Sequence, residues 1–426
     1  MTATAVHAVA EPTICAPLPV LGADVTVPLA TGGERTYAAL DYAASAPALQ
    51  RVWDDVAAYA PYYGSVHRGA GHLSQLSTDL FEKSRATVAA FLGCRPGDEL
   101  LFTRSTTDSL NLLAGALPEG CEVFVFETEH HAALLPWRSS RLTVLDAPRS
   151  HEEAVRTLER ALAAREPYGP ALVCVTGASN VTGEIWPVRE LAAAAHAHGA
   201  RIVLDAAQLA PHRPVSLAEL DVDWVAFSGH KLYAPFGSGV LAGRADWLRS
   251  AEPYLAGGGA SRTVTRAEDG GVEVVWHTGA ARHEAGSPNV IGAYAVAAAC
   301  TALTEAGRLF GAGADRVGVV SFTAEGWHSS HLAAALSAEY GIGVRDGLFC
   351  AHPLVRTLLE AERTEPGECG APQETDGQAL SAVRVSFGAG TPEEHVERFL
   401  GAVRELLTDG ARLDYRTVDG RWVPAV

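Results

Sequence analysis

Lysine is almost missing from this 426-residue chain. Of 33 basic side chains only two, Lys83 and Lys231, are lysine, and every other one is arginine. Arginine serves ion pairs and phosphate contacts as well or better. Ordinary electrostatics therefore do not explain a lysine inside WVAFSGHKLYAPFGSGVLAG, residues 224–243. What lysine can do, and a permanently protonated guanidinium cannot, is condense with a carbonyl once it is desolvated and loses a proton. Lys231 is a candidate carbonyl trap.

Other shortages exclude whole classes of function. No apolar run reaches the length of a membrane span; the nearest, VIGAYAVAAACTALT, is too short and rich in alanine. The N-terminal MTATAVHAVAEPTICAPLP lacks the basic stretch that opens a secretory signal. Seven cysteines form no CxxC pair and no zinc-site spacing, so no metal is expected and the thiols read as reduced, in a cytoplasm. A net charge of −17 argues against nucleic acid or an anionic membrane as the main partner. What remains is a globular composition, 48% hydrophobic and 19% charged, in a chain long enough for two domains.

Between residues 75 and 245 helical stretches alternate with short apolar runs. QLSTDLFEKSRATVAAFLG has helical periodicity and a glycine stop. ELLFT, EVFVF, PALVCVT, ARIVLD and VDWVAFS read as strands, with STTDSLNLLAGAL and VRELAAAAHAHG as helices between them. That alternation predicts an α/β fold, a mostly parallel sheet covered by helices on both faces. Residues 257–285 read as a long loop or irregular hairpin, followed by a helix over 290–308. GVVSFTAEG and SAVRVSFG are strand-like, SSHLAAALSAEYG is helical, and TPEEHVERFLGAVRELL is a helix with Thr391 as its cap. The later half forms a smaller α+β domain, and residues 361–377 form an exposed insertion. The expected division is a large domain over 36–288 and a small one over 289–426 together with 1–35.

Ligands in such sheets sit beyond the carboxyl ends of the strands, and the polar clusters fall there. Asp205 follows the strand RIVL; a buried acid needs a partner, and a protonated pyridine nitrogen or a helix N-terminus would each serve. Pairing with a pyridine is the arrangement that makes pyridoxal phosphate (PLP) an electron sink. Ser105, Thr106 and Thr107 open a helix and offer donors to a phosphate, or simply cap it. His130 and His131 stand at another strand end, to stack on a ring, move protons or fill a loop. Asn180 and Gln208 either donate to a ring oxygen or satisfy loop backbone. Gly237, Gly239 and Gly243 resemble a dinucleotide fingerprint but lead into a strand rather than a helix. Taken in order, the clusters describe one pocket around Lys231.

The runs LDYAASAP, VHRGAGHLSQLST, LLFTRSTTDSLNLLA, EHHAALLPW, SNVTGE, LDAAQLAPHRPV, DWVAFSGHKLYAPFGSGVL, HEAGSPN, VRDGLFCAHPLV and VRVSFGAGT resemble, in this order over residues 40 to 392, the class V aminotransferases of PLP fold type I, cysteine-desulfurase branch. The resemblance implies a PLP enzyme with an amino-acid substrate, a smaller C-terminal domain and a homodimer with shared active sites. Lys231 would bind the cofactor's aldehyde and move the Cα proton. His130 would stack on the ring, Asp205 pair with its nitrogen, and Asn180 and Gln208 hold its phenolate side. Thr106, Thr107, Ser228 and His230 would bind the phosphate. Ser287 matches a residue supplied by the neighbouring subunit. Arg384, with Arg345 and His67, would bind the substrate, and Cys350 matches the sulfur-accepting thiol.

Two departures stand out. Leu348 and Phe349 replace the histidines that commonly precede the reactive cysteine, and an apolar setting disfavours a thiolate; His352 and Arg345 are near enough in sequence to compensate, and Cys350 is otherwise an ordinary buried thiol. FGAGT replaces a segment ending Tyr-Asn-Thr, which suggests a pocket opened for a bulkier substrate. The leading expectation is C–S cleavage of cysteine or a larger cysteine S-conjugate, a chemistry also found in antibiotic pathways including lincosamide assembly. The alternatives are transamination, racemisation or decarboxylation with oxidative deamination, a true desulfurase delivering persulfide sulfur to a protein, and a non-catalytic PLP-fold protein.

Overall fold

The computed structural model of the chain describes residues 16–138, 140–165, 169–306, 315–363 and 380–425. Seven strands form the central sheet: β1 (Asp98–Thr103), β2 (Glu122–Phe126), β3 (Arg141–Leu145), β4 (Ala171–Thr176), β5 (Arg201–Asp205), β6 (Trp224–Ser228) and β7 (Gly239–Arg244). Their order across the sheet is β1-β7-β6-β5-β4-β2-β3. β3, β2, β4, β5 and β6 pair in parallel, whereas β7 is antiparallel to both neighbours. Connection length explains the exception. Residues 229–238 are too few for a crossover helix, so the chain turns straight back from β6 into β7. The GSGVLAG run thus ends in a strand, which removes the dinucleotide reading.

Helices α1 (His72–Phe91), α2 (Thr106–Gly115), α3 (His151–Ala163), α4 (Val188–Ala197) and α5 (Val290–Glu305) belong with this sheet. Side chains alternate across each strand. Leu172, Cys174, Val203, Trp224 and Leu241 enter one apolar cluster, and Val173, Val175, Ile202, Val225 and Val240 enter another. Because both faces are covered, β4 and β6 are buried end to end, which is why their sequences are unbroken apolar runs. Residues 257–285 contain an antiparallel hairpin, Ser261–Arg266 with Val272–Trp276.

A three-stranded antiparallel sheet follows, with Ala382–Ser386 between Val319–Phe322 and Arg345–Gly347. Helices α6 (Ser329–Tyr340), α7 (His352–Arg363) and α8 (Glu393–Asp409) accompany it. The short strand Ala38–Ala39 pairs in parallel with Ile342–Gly343, and the Ser386 N–H donates to the Leu40 carbonyl at 2.8 Å. Residues 38–43 therefore run alongside the strand that carries Arg384.

Two expectations change. Helix α8 starts at Glu393 with Pro392 at its cap, and the Thr391 hydroxyl instead accepts the Gly388 N–H at 2.9 Å, closing a tight turn. Thr391 sits one residue too early to reach the helix. Of the expected insertion, residues 361–363 complete α7 and 364–377 lie outside the described residues. No described helix is long and apolar enough to cross a membrane, and the five described cysteines are free thiols.

Candidate active site

The parallel strands deliver their polar C-terminal residues to one edge. There Thr106 donates its backbone N–H to the Ser228 hydroxyl at 2.8 Å, and the two hydroxyls lie 2.7 Å apart. This ties the start of α2 to the tip of β6, across β7. Only glycine permits it, since a Cβ at Gly239 would stand 2.6 Å from the Ser105 Cα. The Ser105 hydroxyl accepts the Asp108 N–H at 3.3 Å, so the cap is made locally, and the Thr107 N–H beside the paired Thr106 and Ser228 hydroxyls begins a cup suited to an anion. The capping reading holds for Ser105.

A cavity of about 170 Å³ adjoins the cup. Thr106, Thr107, His130, Asn180, Asp205, Gln208, Ser228, His230, Lys231, Arg345 and Arg384 all line it. Among the described residues the Lys231 ammonium has no hydrogen-bond or ion-pair partner. Burial pulls its pKa down to about 8; Arg384 and Arg345 push the same way and Asp205 opposes them. Asp205 is buried and accepts only the Ala207 N–H, at 2.9 Å on Oδ1. Burial raises its pKa, against the pull of that N–H and of Lys231.

His130 presents a fixed tautomer. Its Nδ1 accepts the Ala132 N–H at 3.0 Å, so the neutral ring carries its proton on Nε2. Burial, then the Lys231 charge, lowers its pKa to about 3, which keeps the ring neutral. Asn180 gives one amide N–H to the Phe349 carbonyl at 2.9 Å, and Gln208 gives one to the Ala43 carbonyl at 2.8 Å. Each amide satisfies loop backbone and still retains a second N–H.

Arg384 is almost wholly buried. One terminal nitrogen donates to Asp41 Oδ1 at 2.7 Å and the other to the Asn180 carbonyl at 3.2 Å, while its buried Nε has no partner. The Phe349 ring lies 5.1 Å from the guanidinium carbon and forms part of the cavity wall. Cys350 is half-buried next to Phe349 and does not itself line the cavity. Both residues have left-handed backbone, φ 53° and 55°, held by the Asn180 bond to Phe349 and by the His131 N–H donated to the Cys350 carbonyl at 2.8 Å.

Besides Cys350, two expected residues lie outside the cavity in this chain. His67 is exposed and pairs with Glu82 at 3.1 Å; Ser287 is also exposed, between Gly286 and Pro288. His67, Gly286 and Pro288 line a separate cleft. The widening read from FGAGT is overturned. A Cβ at Gly388 would lie 2.1 Å from the Tyr42 ring, one at Gly390 would lie 2.4 Å from Val20, and Ala389 is buried. Those small residues accommodate N-terminal side chains rather than substrate. Asp41 had no assigned part in the sequence reading, and Phe349 entered it only as an apolar neighbour of Cys350; their positions inside LDYAA and LFC were the only signal.

An unpaired lysine facing a buried aspartate, beside an anion cup at the edge of a parallel sheet, defines a fold type I PLP enzyme. The comparisons agree. Residues 38–309 and 304–399 match the profile of the Aminotransferase class-V family, and the chain belongs to that family. It is 33% identical over 405 residues to a probable cysteine desulfurase of Vibrio cholerae, covering 86% of this chain and 92% of that protein. It is 34% identical over 354 residues to a cysteine desulfurase of Dickeya dadantii, covering 74% and 83%. The apo cysteine desulfurase of Thermococcus onnurineus superposes with a TM-score of 0.74 at 30% identity, over 87% of this chain and 94% of that one. The protein is a PLP-dependent enzyme. Its residues fit the cofactor: a buried carboxylate with spare acceptor capacity, a free amine and an open helix start surround one cavity.

Proposed function

We propose that this enzyme breaks the C–S bond of L-cysteine or of a small S-substituted cysteine. The observation that carries the reading is the Lys231 amine, unpaired and with a pKa near 8, in one cavity with Asp205 and the buried Arg384. The named relatives are cysteine desulfurases, and the filled space around Gly388 and Gly390 favours a small substrate over a bulky conjugate.

When bound, PLP supplies an aldehyde and a ring that draws electrons away from bonds at an amino acid's Cα. Thr106, Thr107, Ser228 and His230 would hold its phosphate, Asp205 would keep its ring nitrogen protonated, His130 would pack on the ring, and Asn180 and Gln208 would offer their second amide N–H groups to its phenolate side. Lys231 would be the residue that holds the cofactor's aldehyde, and its amine would serve as the base for the Cα proton; a pKa of about 8 suits both parts. Arg384 receives the α-carboxylate.

The sulfur has two fates. In a desulfurase Cys350 attacks the substrate sulfur, an S–S bond forms, the C–S electron pair returns to Cβ, and alanine leaves. In a β-eliminating lyase that pair leaves on sulfur, and pyruvate and ammonia follow after hydrolysis. The relatives and the place of Cys350 beside the cavity wall favour the desulfurase. L-cysteine turnover with alanine and pyruvate measured together tests this. The expected product is alanine, with Cys350→Ala slowing sulfur release at least roughly a hundredfold. Pyruvate formation that survives the substitution reassigns the enzyme as a lyase; failure to release any sulfur from cysteine or small S-alkyl cysteines removes the reading.

A further inference from the structure

Arg384 is engaged by a carboxylate of its own chain, and this arrangement fixes what else the guanidinium can bind. Three of its surroundings are set: Asp41 Oδ1 at 2.7 Å, the Asn180 carbonyl at 3.2 Å and the Phe349 ring at 5.1 Å. The buried Nε–H is left without an acceptor. A buried donor in that condition is destabilising until something accepts from it, and Arg384 lines the cavity.

Asp41 is itself held. It forms a parallel bridge to Ser386, the Ser386 N–H donates to the Leu40 carbonyl at 2.8 Å, and the Ala43 N–H donates to the Ser386 hydroxyl at 2.9 Å. Residues 40–43 are thereby stitched to the strand two residues from Arg384, and the carboxylate stands at a fixed place beside the guanidinium. A long arginine side chain has many rotamers, and an anchored partner removes most of them before substrate arrives.

We propose that Asp41 is a positioning and specificity residue for amino-acid recognition. It grips Arg384 so that the unpartnered Nε–H faces a substrate α-carboxylate, and its own negative charge selects monocarboxylic over dicarboxylic amino acids. The inference rests on the reading of Arg384 as the carboxylate receptor. Asp41 and Arg384 form a neutral pair, so a single α-carboxylate is met by the free Nε–H and by the charge of Arg345, which also lines the cavity, while a second carboxylate meets the fixed negative charge of Asp41.

The test is a spectral titration of the PLP-loaded enzyme, which reads binding without turnover. The probes are L-alanine, L-aspartate and ethylamine, the last being the alanine framework without its carboxylate. Asp41→Asn is expected to weaken L-alanine about tenfold, the scale of one misaligned charge-assisted contact, to leave ethylamine unchanged, and to shift the alanine-to-aspartate preference toward aspartate. Asp41→Glu should recover part of the alanine affinity, and it also serves if the asparagine variant folds poorly. Equal weakening of alanine and ethylamine, or no change in either, overturns the proposal. Arg384→Gln separates the layers. If it weakens alanine but Asp41→Asn does not, only the part given to Asp41 falls. If Arg384→Gln binds alanine as the unmodified enzyme does, the carboxylate-receptor reading falls, and Asp41's part with it.

Discussion

At the level of single residues the site is governed by what burial does to charge. Lys231 has a folded-state pKa near 8, below its ordinary 10.5. A base depressed in this way binds fewer protons folded than unfolded over that interval. The penalty for burying its charge is therefore full below about pH 8, and stability rises with pH from about 8 to 10.5. In the cofactor-free protein Lys231→Met should raise unfolding stability at pH 7 by about 3 kcal/mol, an advantage that shrinks toward pH 10.5. Denaturant melts at both pH values check this. His130 gives a second residue-level expectation. With Nδ1 accepting from Ala132 and a pKa near 3, its ring should remain the Nε2–H tautomer, and its nitrogen resonances should not move between pH 5 and 9. A titration midpoint near 6.5 would contradict the geometry. The residue types were legible in the sequence because the chemistry restricts them: one lysine, one strand-end aspartate, hydroxyls at a helix start. The His130 tautomer, the Asp41 grip on Arg384 and the Phe349 wall were not, because each depends on groups brought together from distant parts of the chain.

Among the elements, the alternating helices and buried strands of the large sheet were readable from apolar runs and periodicity. β3 was not. Its segment RLTVL lies at a sheet edge with three of its five residues exposed, so it carries no continuous apolar signature. The reversal of β7 follows from the short 229–238 link, a length the sequence displays but whose direction depends on the sheet around it. The turn at 388–391 shows the opposite hazard, a legible pattern with the wrong meaning. Small residues there looked like open space, yet Tyr42 and Val20 fill it from more than 300 positions away. Gly388→Ala should lower stability by about 1–3 kcal/mol through overpacking. Combining it with Tyr42→Leu should cost less than the sum of the two single changes, since the smaller side chain vacates the space the new methyl needs. Additive losses in a thermal-melt cycle would place Tyr42 elsewhere.

Across the whole molecule, two of the three expected residues absent from the cavity, His67 and Ser287, point in one direction. His67 and the neighbours of Ser287 border one cleft, next to a hairpin whose Val264, Val272 and Val275 are exposed. A homodimer sharing its active sites, as expected for Ser287, would use this face. Sedimentation should give twice the 44.7 kDa chain mass. Val264→Asp with Val272→Asp should yield monomers that bind PLP more weakly; a monomeric parent with full PLP affinity would contradict a shared site. The domain boundary proposed near residue 288 is a separate matter, tested by limited proteolysis. All of these readings converge on one amine. Borohydride reduction of the PLP-loaded enzyme followed by peptide mass spectrometry examines it directly. The account predicts a stable phosphopyridoxyl mass on the peptide containing Lys231 and none on that containing Lys83; label on Lys83 alone, or on neither, would contradict it.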